Sequence, residues 1–360
     1  VNAHADTELL ALLDQIVDPL IGRGLAEAGA VAEARREDGR AIVHLRLGFP
    51  AASLRDTLIG RVRALLTQHG IESQVTLDWA VRSHAAQQKL APLPGIRNVI
   101  AVASGKGGVG KSTVAANFAL ALAAEGARVG MLDADIYGPS QPQMLGVPDE
   151  KPTSPDGKLA IPVRAHGLQV MSIGFLVDPE QPMIWRGPIV TQALMQLIND
   201  ARWDDLDYLV VDMPPGTGDV QLTLSQRIPL AGAVIVTTPQ DIATLDAKRG
   251  LQMFRRVEVP VLGIVENMAL YTCPNCGHSE HVFGQGGGDS IAERYDVELL
   301  GSLPLSRSIR EQADAGVPTV VAEPESEIAL LYRSIARRAV ARLAYGEAPD
   351  AFPSIEIAED

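Results

Sequence analysis

Apolar positions along this chain follow two rhythms, and the order in which they alternate separates two regions. From about Asp6 to about Trp79 the elements are short and mixed. Leu9, Leu10, Leu12, Leu13 and Ile16 fall at helical spacing and predict an amphipathic helix that Asp18-Pro19 ends. Residues 30–34 and 40–47 predict two strands around a turn at Asp38-Gly39. Leu54, Leu58, Ile59, Val62, Leu65 and Leu66 predict a helix over residues 53–68 with Ser53 as its N-cap. Residues 71–79 close as a strand. A small α+β domain over residues 1–80 follows.

Residues 81–97 read as a linker, polar over 83–89 and then stiffened by Pro92 and Pro94. From Asn98 to about Gly346 strand and helix patterns alternate. Residues 99–103 predict a buried strand. Residues 111–125 predict a helix with Val114, Phe118, Ala121 and Leu122 inward. Residues 128–132, 208–211, 233–236 and 261–265 are short apolar runs bounded by Gly, Pro or Asp. Such runs suit strands covered on both faces of a parallel sheet. Helical patterns lie between them, notably over 189–199 and 241–257. The expected fold is α/β, a doubly wound and mostly parallel sheet over residues 98–346, preceded by the small α+β domain. Residues 347–360 form an acidic tail expected to fray.

Composition narrows the function classes. Hydrophobic residues make up 46% and charged residues 21% of 360, a globular balance with ample core. The formal net charge of -13 repels phosphate backbones, so nucleic acid is not an expected partner. No apolar run is long enough to span a bilayer, and no membrane partner is expected. Val1 to Asp14 lacks a basic segment followed by an apolar one, so no signal peptide is expected. Cys273 and Cys276 are the only cysteines, too few for a secreted disulfide scaffold, and a cytoplasmic setting is expected.

The strongest chemical signal is Gly105-Lys106-Gly107-Gly108-Val109-Gly110-Lys111-Ser112. It matches G-x-x-x-x-G-K-[ST], with the required strand before it and helix after it. Its glycines let the backbone approach an anion closely, and backbone N–H groups at a helix N-terminus ring the phosphates. Lys111 is expected to reach the β- and γ-phosphates of ATP, Ser112 to ligate Mg²⁺, and Thr113 to touch a further phosphate.

Carboxylates follow at strand ends, where open α/β sheets place their ligands. Asp133 and Asp135 end the strand over 128–132, and Asp212 ends the strand over 208–211. A lone Asp there would be a turn or cap residue; three behind a phosphate loop favour a catalytic site. Asp212 fits an acid near Mg²⁺. Residues 214–219, Pro-Pro-Gly-Thr-Gly-Asp, read as a switch loop that senses the γ-phosphate. Asn267 follows the strand over 261–265 and, taken alone, reads equally as a turn residue.

The Cys273-Pro274-Asn275-Cys276 loop leaves three readings. Two cysteines can be small buried hydrophobes, though Gly277 and His278 argue for an exposed turn. A redox pair needs a thioredoxin-like context, and this one sits late in a phosphate-loop domain. Metal binding is the third, since two thiolates are half of a Cys₄ site.

Lys106, inside the loop, resembles the first lysine of the MinD/ParA/nitrogenase-iron-protein class. The resemblance implies a dimeric ATPase in which Lys106 reaches the partner's nucleotide, Asp135 orients or activates the attacking water, Asp133 and Asp212 hold the Mg²⁺ shell, and Asn267 contacts adenine. The full order of motifs, through Asp133-Ala134-Asp135-Ile136-Tyr137-Gly138-Pro139-Ser140, Asp212 to Asp219, Glu266-Asn267-Met268 and the cysteine pair, is similar to the Mrp/ApbC family of iron–sulfur cluster carrier ATPases. It covers nearly all of the second region; septum-placing and plasmid-partitioning relatives lack the cysteine pair. The first region resembles the MIP18-type (DUF59) domain often fused ahead of such an ATPase. It departs from that pattern, because residues 47–53 carry no cysteine, which favours partner binding over a thiol role. The family implies a homodimer that holds a [4Fe–4S] cluster on Cys273 and Cys276 of two subunits, receives it from an assembly scaffold and passes it to apo-proteins. Two rivals remain at this point. One is a positioning switch without cargo, against which the acidic end of the chain argues. The other is a zinc site from Cys273, Cys276, His278 and His281 in one chain, whose spacing is tighter than usual.

Overall fold

A computed structural model describes residues 6–84, 90–136, 138–155, 157–176 and 187–346. The predicted acidic tail, the middle of the polar linker and Tyr137 lie outside the described residues.

The first region holds α1 (Thr7–Leu13), β1 (Val31–Glu37), β2 (Arg40–Leu47), α2 (Arg55–Gln68) and β3 (Ser73–Trp79). β1 and β2 form an antiparallel hairpin, and β3 adds parallel to β2. The helix predicted over 53–68 begins later than expected. Residues 52–54 form a single tighter turn, and no side chain caps α2. Ser53 is therefore not an N-cap; its hydroxyl donates to Glu125 at 2.8 Å, across the boundary between the regions.

The second region runs β4 (Ile96–Ala103), α3 (Lys111–Ala124), β5 (Val129–Asp133), α4 (Gln141–Met144), β6 (Val163–Ala165), β7 (Leu168–Ser172), α5 (Gly187–Asn199), β8 (Leu206–Asp212), α6 (Asp219–Arg227), β9 (Leu230–Thr237), α7 (Asp241–Arg256), β10 (Val261–Glu266), β11 (Tyr271–Thr272), β12 (Ser279–Glu280), α8 (Gly287–Tyr295), β13 (Leu299–Ser302), α9 (Arg307–Asp314), α10 (Thr319–Ala322) and α11 (Glu327–Tyr345). Its main sheet has eight strands in the order β13-β10-β9-β4-β8-β5-β7-β6. Every pairing is parallel except β6 with β7. Alternate residues of β4 enter opposite cores, Ile100 and Val102 on one face, Val99, Ala101 and Ala103 on the other. Two covered faces explain why these strands read as unbroken apolar runs.

The core on the α3 face is continuous with that of the first region. Glu125, at the C-terminal end of α3, is fully buried and joins the two. It accepts from the Ser53 backbone N–H at 3.0 Å, from Arg333 at 3.0 Å and from Arg337 at 2.8 Å. Burial alone would raise its carboxyl, but the Ser53 hydrogen bonds and Arg337 hold it below the usual carboxylate range. Its stabilisation is thus present above that range and lost as pH falls through the depressed value. Glu125→Ala strands two mostly buried guanidiniums and should cost about 3–5 kcal/mol. Urea unfolding checks this; an unchanged midpoint would show that the cluster contributes nothing.

Candidate functional site

The phosphate loop leaves β4, whose neighbours β8 and β9 flank it in the sheet. Gly108 and Gly110 take left-handed conformations at φ 81° and 80°. A Cβ on Gly110 would lie 2.3 Å from the Asn267 amide nitrogen, so strain and space both demand glycine there. Ser104 pins the loop by donating its hydroxyl to the Lys106 carbonyl at 2.8 Å. Gly110 then opens α3 as its N-cap.

At the head of α3 the Lys111 ammonium is buried. It pairs with Asp212, donates to the Ser112 hydroxyl at 3.2 Å and lies 3.6 Å from Asp135. Asp133 and Asp212 are register partners on β5 and β8, both at 0% exposure. Asp133 accepts from the Asp135 N–H at 3.2 Å, the Gln141 N–H at 3.1 Å and the Ser172 hydroxyl at 3.0 Å. Burial, reinforced by the Asp212 charge, pushes its carboxyl up to about 7 against those hydrogen bonds. Two buried carboxylates side by side require a cation, and Lys111 supplies one.

Gln141 completes this cluster, and no motif in the sequence marks it. It is fully buried, and its amide donates to the Ser112 carbonyl at 3.0 Å and to Asp212 at 2.9 Å. Its Oε1 has no hydrogen-bond partner among the described residues. The one available signal was a polar residue between Ser140 and Pro142 at the start of a short helix.

The loop over residues 214–219 lies against the phosphate loop, with the Gly216 N–H donating to the Ser104 carbonyl at 3.0 Å. Asn267 is buried just beyond β10 and donates its amide to the Val109 carbonyl at 2.9 Å. Lys106 is half-buried, and among the described residues its ammonium makes no ion pair. Lys111, Ser112, Asp133, Asp135 and Asp212 thus converge, and Asn267 braces the loop they surround.

Cys273 and Cys276 stand apart on the tip of a hairpin made by β11 and β12. The Cys273 N–H donates to the His278 carbonyl at 2.8 Å, and the Gly277 N–H to the Cys273 carbonyl at 2.9 Å. Cys273 is half-buried, Cys276 is exposed, and both thiols are free. Backbone N–H groups of Asn275 and Cys276, then the Cys276 side chain, lower the Cys273 thiol below its ordinary range. Ready thiolate formation is what metal ligation needs. Among the described residues no third His, Cys, Asp or Glu side chain joins the two cysteines to hold a metal. The His281 Nδ1 faces the Ala269 carbonyl at 2.7 Å, and the described residues do not gather Cys273, Cys276, His278 and His281 into a four-residue zinc site. Among the described residues no helix is long and apolar enough to cross a membrane.

The family described as NUBPL iron-transfer P-loop NTPase matches residues 95–340, and that described as iron-sulfur cluster assembly protein matches residues 6–76. An iron-sulfur cluster carrier protein of Pseudomonas fragi is 58% identical over 76% of this chain and 96% of its own. One from Haemophilus influenzae is 49% identical over 94% of this chain and 92% of its own. The mouse iron-sulfur cluster transfer protein NUBPL is 52% identical over 71% of this chain and 80% of its own. Among solved structures, a nucleotide-binding protein of Archaeoglobus fulgidus in complex with ADP superposes with a TM-score of 0.57 at 39% identity, covering 65% of this chain and 90% of its own. The cell division ATPase MinD of Pyrococcus furiosus shares the fold at 22% identity, with a TM-score of 0.50 over 67% of this chain and 97% of its own. By its phosphate loop, its strand-end carboxylates, its cysteine hairpin and these matches, the chain belongs to the Mrp/ApbC iron–sulfur cluster carriers, the NUBPL-type iron-transfer P-loop NTPases, with a MIP18-type domain ahead of the NTPase.

Proposed function

We propose that the chain is an ATP-dependent carrier that binds a [4Fe–4S] cluster between two subunits and transfers it to apo-proteins, in the cytoplasm and without nucleic acid or membrane. The observation that carries this is the hairpin of free cysteines, Cys273 with its lowered thiol and exposed Cys276, which gathers no third ligand among the described residues. The iron–sulfur carrier names of its relatives point the same way. In this reading residues 81–97 link a partner-binding domain over 1–80 to the NTPase over 98–346, and an assembly scaffold supplies the cluster.

ATP is held by the backbone of Gly105, Lys106, Gly107, Gly108, Val109 and Gly110, with Lys111, Ser112 and Thr113 on its phosphates and Asn267 on its base. Ser112, Asp133 and Asp212 would hold Mg²⁺. The donor set fits a hard cation, since a hydroxyl and two register-paired carboxylates meet beside the unpartnered Gln141 Oε1. Bound there, Mg²⁺ would neutralise charge on the phosphates. Lys111 leaves Asp212 for the phosphates, Asp135 orients the attacking water, and Lys106 of the partner stabilises the leaving charge. ATP binding or hydrolysis alters the contact between subunits and so the hold on the cluster.

Anaerobic reconstitution with iron and sulfide should give a brown protein that restores activity to an apo [4Fe–4S] enzyme. A colourless protein holding zinc would overturn the reading. Asp135→Asn should lower ATP turnover by about a hundredfold or more while nucleotide still binds. Wild-type turnover in that variant would move the water-orienting role to Asp133.

A further inference from the structure

Gln141 touches all three residues assigned to Mg²⁺ above without being one of them. Its backbone N–H donates to Asp133 at 3.1 Å. Its side-chain amide donates to the Ser112 carbonyl at 3.0 Å and to Asp212 at 2.9 Å. These last two bonds use both hydrogens of the carboxamide nitrogen. They also fix which way the group faces, because a flipped amide would set its oxygen against two acceptors. Oε1 is therefore the free end of the side chain. Gln141 is fully buried, and Oε1 has no hydrogen-bond partner among the described residues.

The protein around it does not meet this need. The Lys111 ammonium is already surrounded by Asp212, the Ser112 hydroxyl and Asp135. Nor is α4 loose enough to carry Gln141 out to solvent. Gln143, one turn of chain further on, donates its side-chain amide to the Asp314 carbonyl at 3.0 Å. A Cβ on Gly316 would lie 2.5 Å from the Gly146 Cα, so the chain leaving α4 is pressed onto the turn between α9 and α10. Gln141 is thus held in place with one acceptor unmet. A buried acceptor of this kind costs free energy that a bound donor recovers.

The neighbours of Gln141 identify the donor. Ser112, Asp133 and Asp212 would hold Mg²⁺ under the function proposed above, on which this inference rests. Mg²⁺ gives up its waters reluctantly and keeps several of them when few carboxylates reach it. Those waters are polarised by the cation and donate strongly. A neutral acceptor beside the three holders suits such a water better than a further carboxylate would, because Asp133 and Asp212 are already two buried acids beside one ammonium.

We propose that Gln141 is a positioning residue of the cation site, whose amide N–H groups align Ser112 and Asp212 and whose Oε1 accepts a hydrogen bond from a water carried by Mg²⁺. The test is the affinity of the full chain for a fluorescent ADP analogue, measured with Mg²⁺ and with EDTA. In the wild type Mg²⁺ should tighten binding. Gln141→Met, similar in volume and without a strong acceptor, should shrink that gain by about tenfold, the effect of one lost hydrogen bond. A merely structural defect would weaken binding equally in both conditions and leave the ratio between them unchanged. Gln141→Glu keeps an acceptor and removes the two donors, so Mg²⁺ should tighten binding in it at least as much as in the wild type; this variant also decides the matter if the Met variant does not fold. A Met variant with the full wild-type gain would overturn the proposal, a resident water then serving Oε1 whether or not the cation is bound. Equal loss of the gain in the Met and Glu variants would overturn it as well, since the missing donors alone would account for both. A wild type whose ADP affinity ignores Mg²⁺ would overturn this inference together with the cation site on which it rests.

Discussion

Lys111→Ala is expected to abolish ATP hydrolysis and to weaken ATP binding. The lysine ammonium lies within the carboxylate cluster, paired with Asp212 and 3.6 Å from Asp135. Without it the buried, register-paired Asp133 and Asp212 lose the ammonium that balances them, so ground-state binding suffers as well as turnover. Loss of one such charge from a water-excluded site removes about a hundredfold to a thousandfold in rate. Lys106→Ala should behave differently. Its ammonium makes no ion pair among the described residues and so does not balance the cluster of its own chain. Turnover should fall by about a thousandfold, the low end for a charge supplied in trans, while ATP affinity changes by less than about tenfold. Single-turnover hydrolysis and equilibrium nucleotide binding separate the two. Equal loss of affinity in both variants would count against the trans role.

The contrast between these lysines shows what could be read in advance. Phosphate-loop chemistry is local: eight consecutive residues specify glycine conformations, a helix start and a cation, so the motif needs no tertiary knowledge. The parallel strands were equally legible, because burial on both faces leaves apolar runs such as 208–211 and 261–265. The pairing of Asp133 with Asp212 was not. It depends on β8 inserting between β4 and β5, a choice made by the whole sheet. Gln141 was hidden for a related reason, since a lone polar residue gives no period, and its value comes only from the carboxylate it meets. Helix α11 also went unread, although it buries Ala329, Tyr332, Ile335, Ala336, Ala339 and Val340. Alanine contributes little to a hydrophobic period, and an alanine-rich inner face looks bland until something packs on it. The β6–β7 hairpin was missed because its turn places His166, a non-glycine, at φ 47° before Gly167.

The same limit applied to Ser53. As a serine before a helical pattern it signalled an N-cap, yet its hydroxyl serves Glu125 of the other region. Local preference lost to a buried carboxylate that needed donors. The two regions therefore meet at the far end of the helix whose head carries the phosphate loop. That arrangement gives the small domain a direct packing connection to the nucleotide site through α3.

The stoichiometry of the cluster carries the second large effect. A [4Fe–4S] cluster usually takes four cysteine thiolates, and each chain has only Cys273 and Cys276. The hairpin presents them at an exposed tip, and no further His, Cys, Asp or Glu converges there among the described residues. A two-fold axis that brings both hairpins together supplies the missing pair. One cluster per two chains is therefore expected from iron, sulfide and protein assays combined with native mass measurement. Cys273→Ala or Cys276→Ala should remove the cluster altogether, because each substitution deletes two of four ligands from the symmetric site. ATP binding should stay within about twofold of wild type, a few tenths of a kcal/mol, since neither cysteine touches the phosphate loop. One of the two variants can also be checked before any metal is added. Cys273 has a lowered thiol, held by the Asn275 and Cys276 N–H groups, so in the apo-protein Cys276→Ala should keep a thiol that alkylates faster than free cysteine does at neutral pH. A stable monomer holding a complete cluster would sink the bridging arrangement.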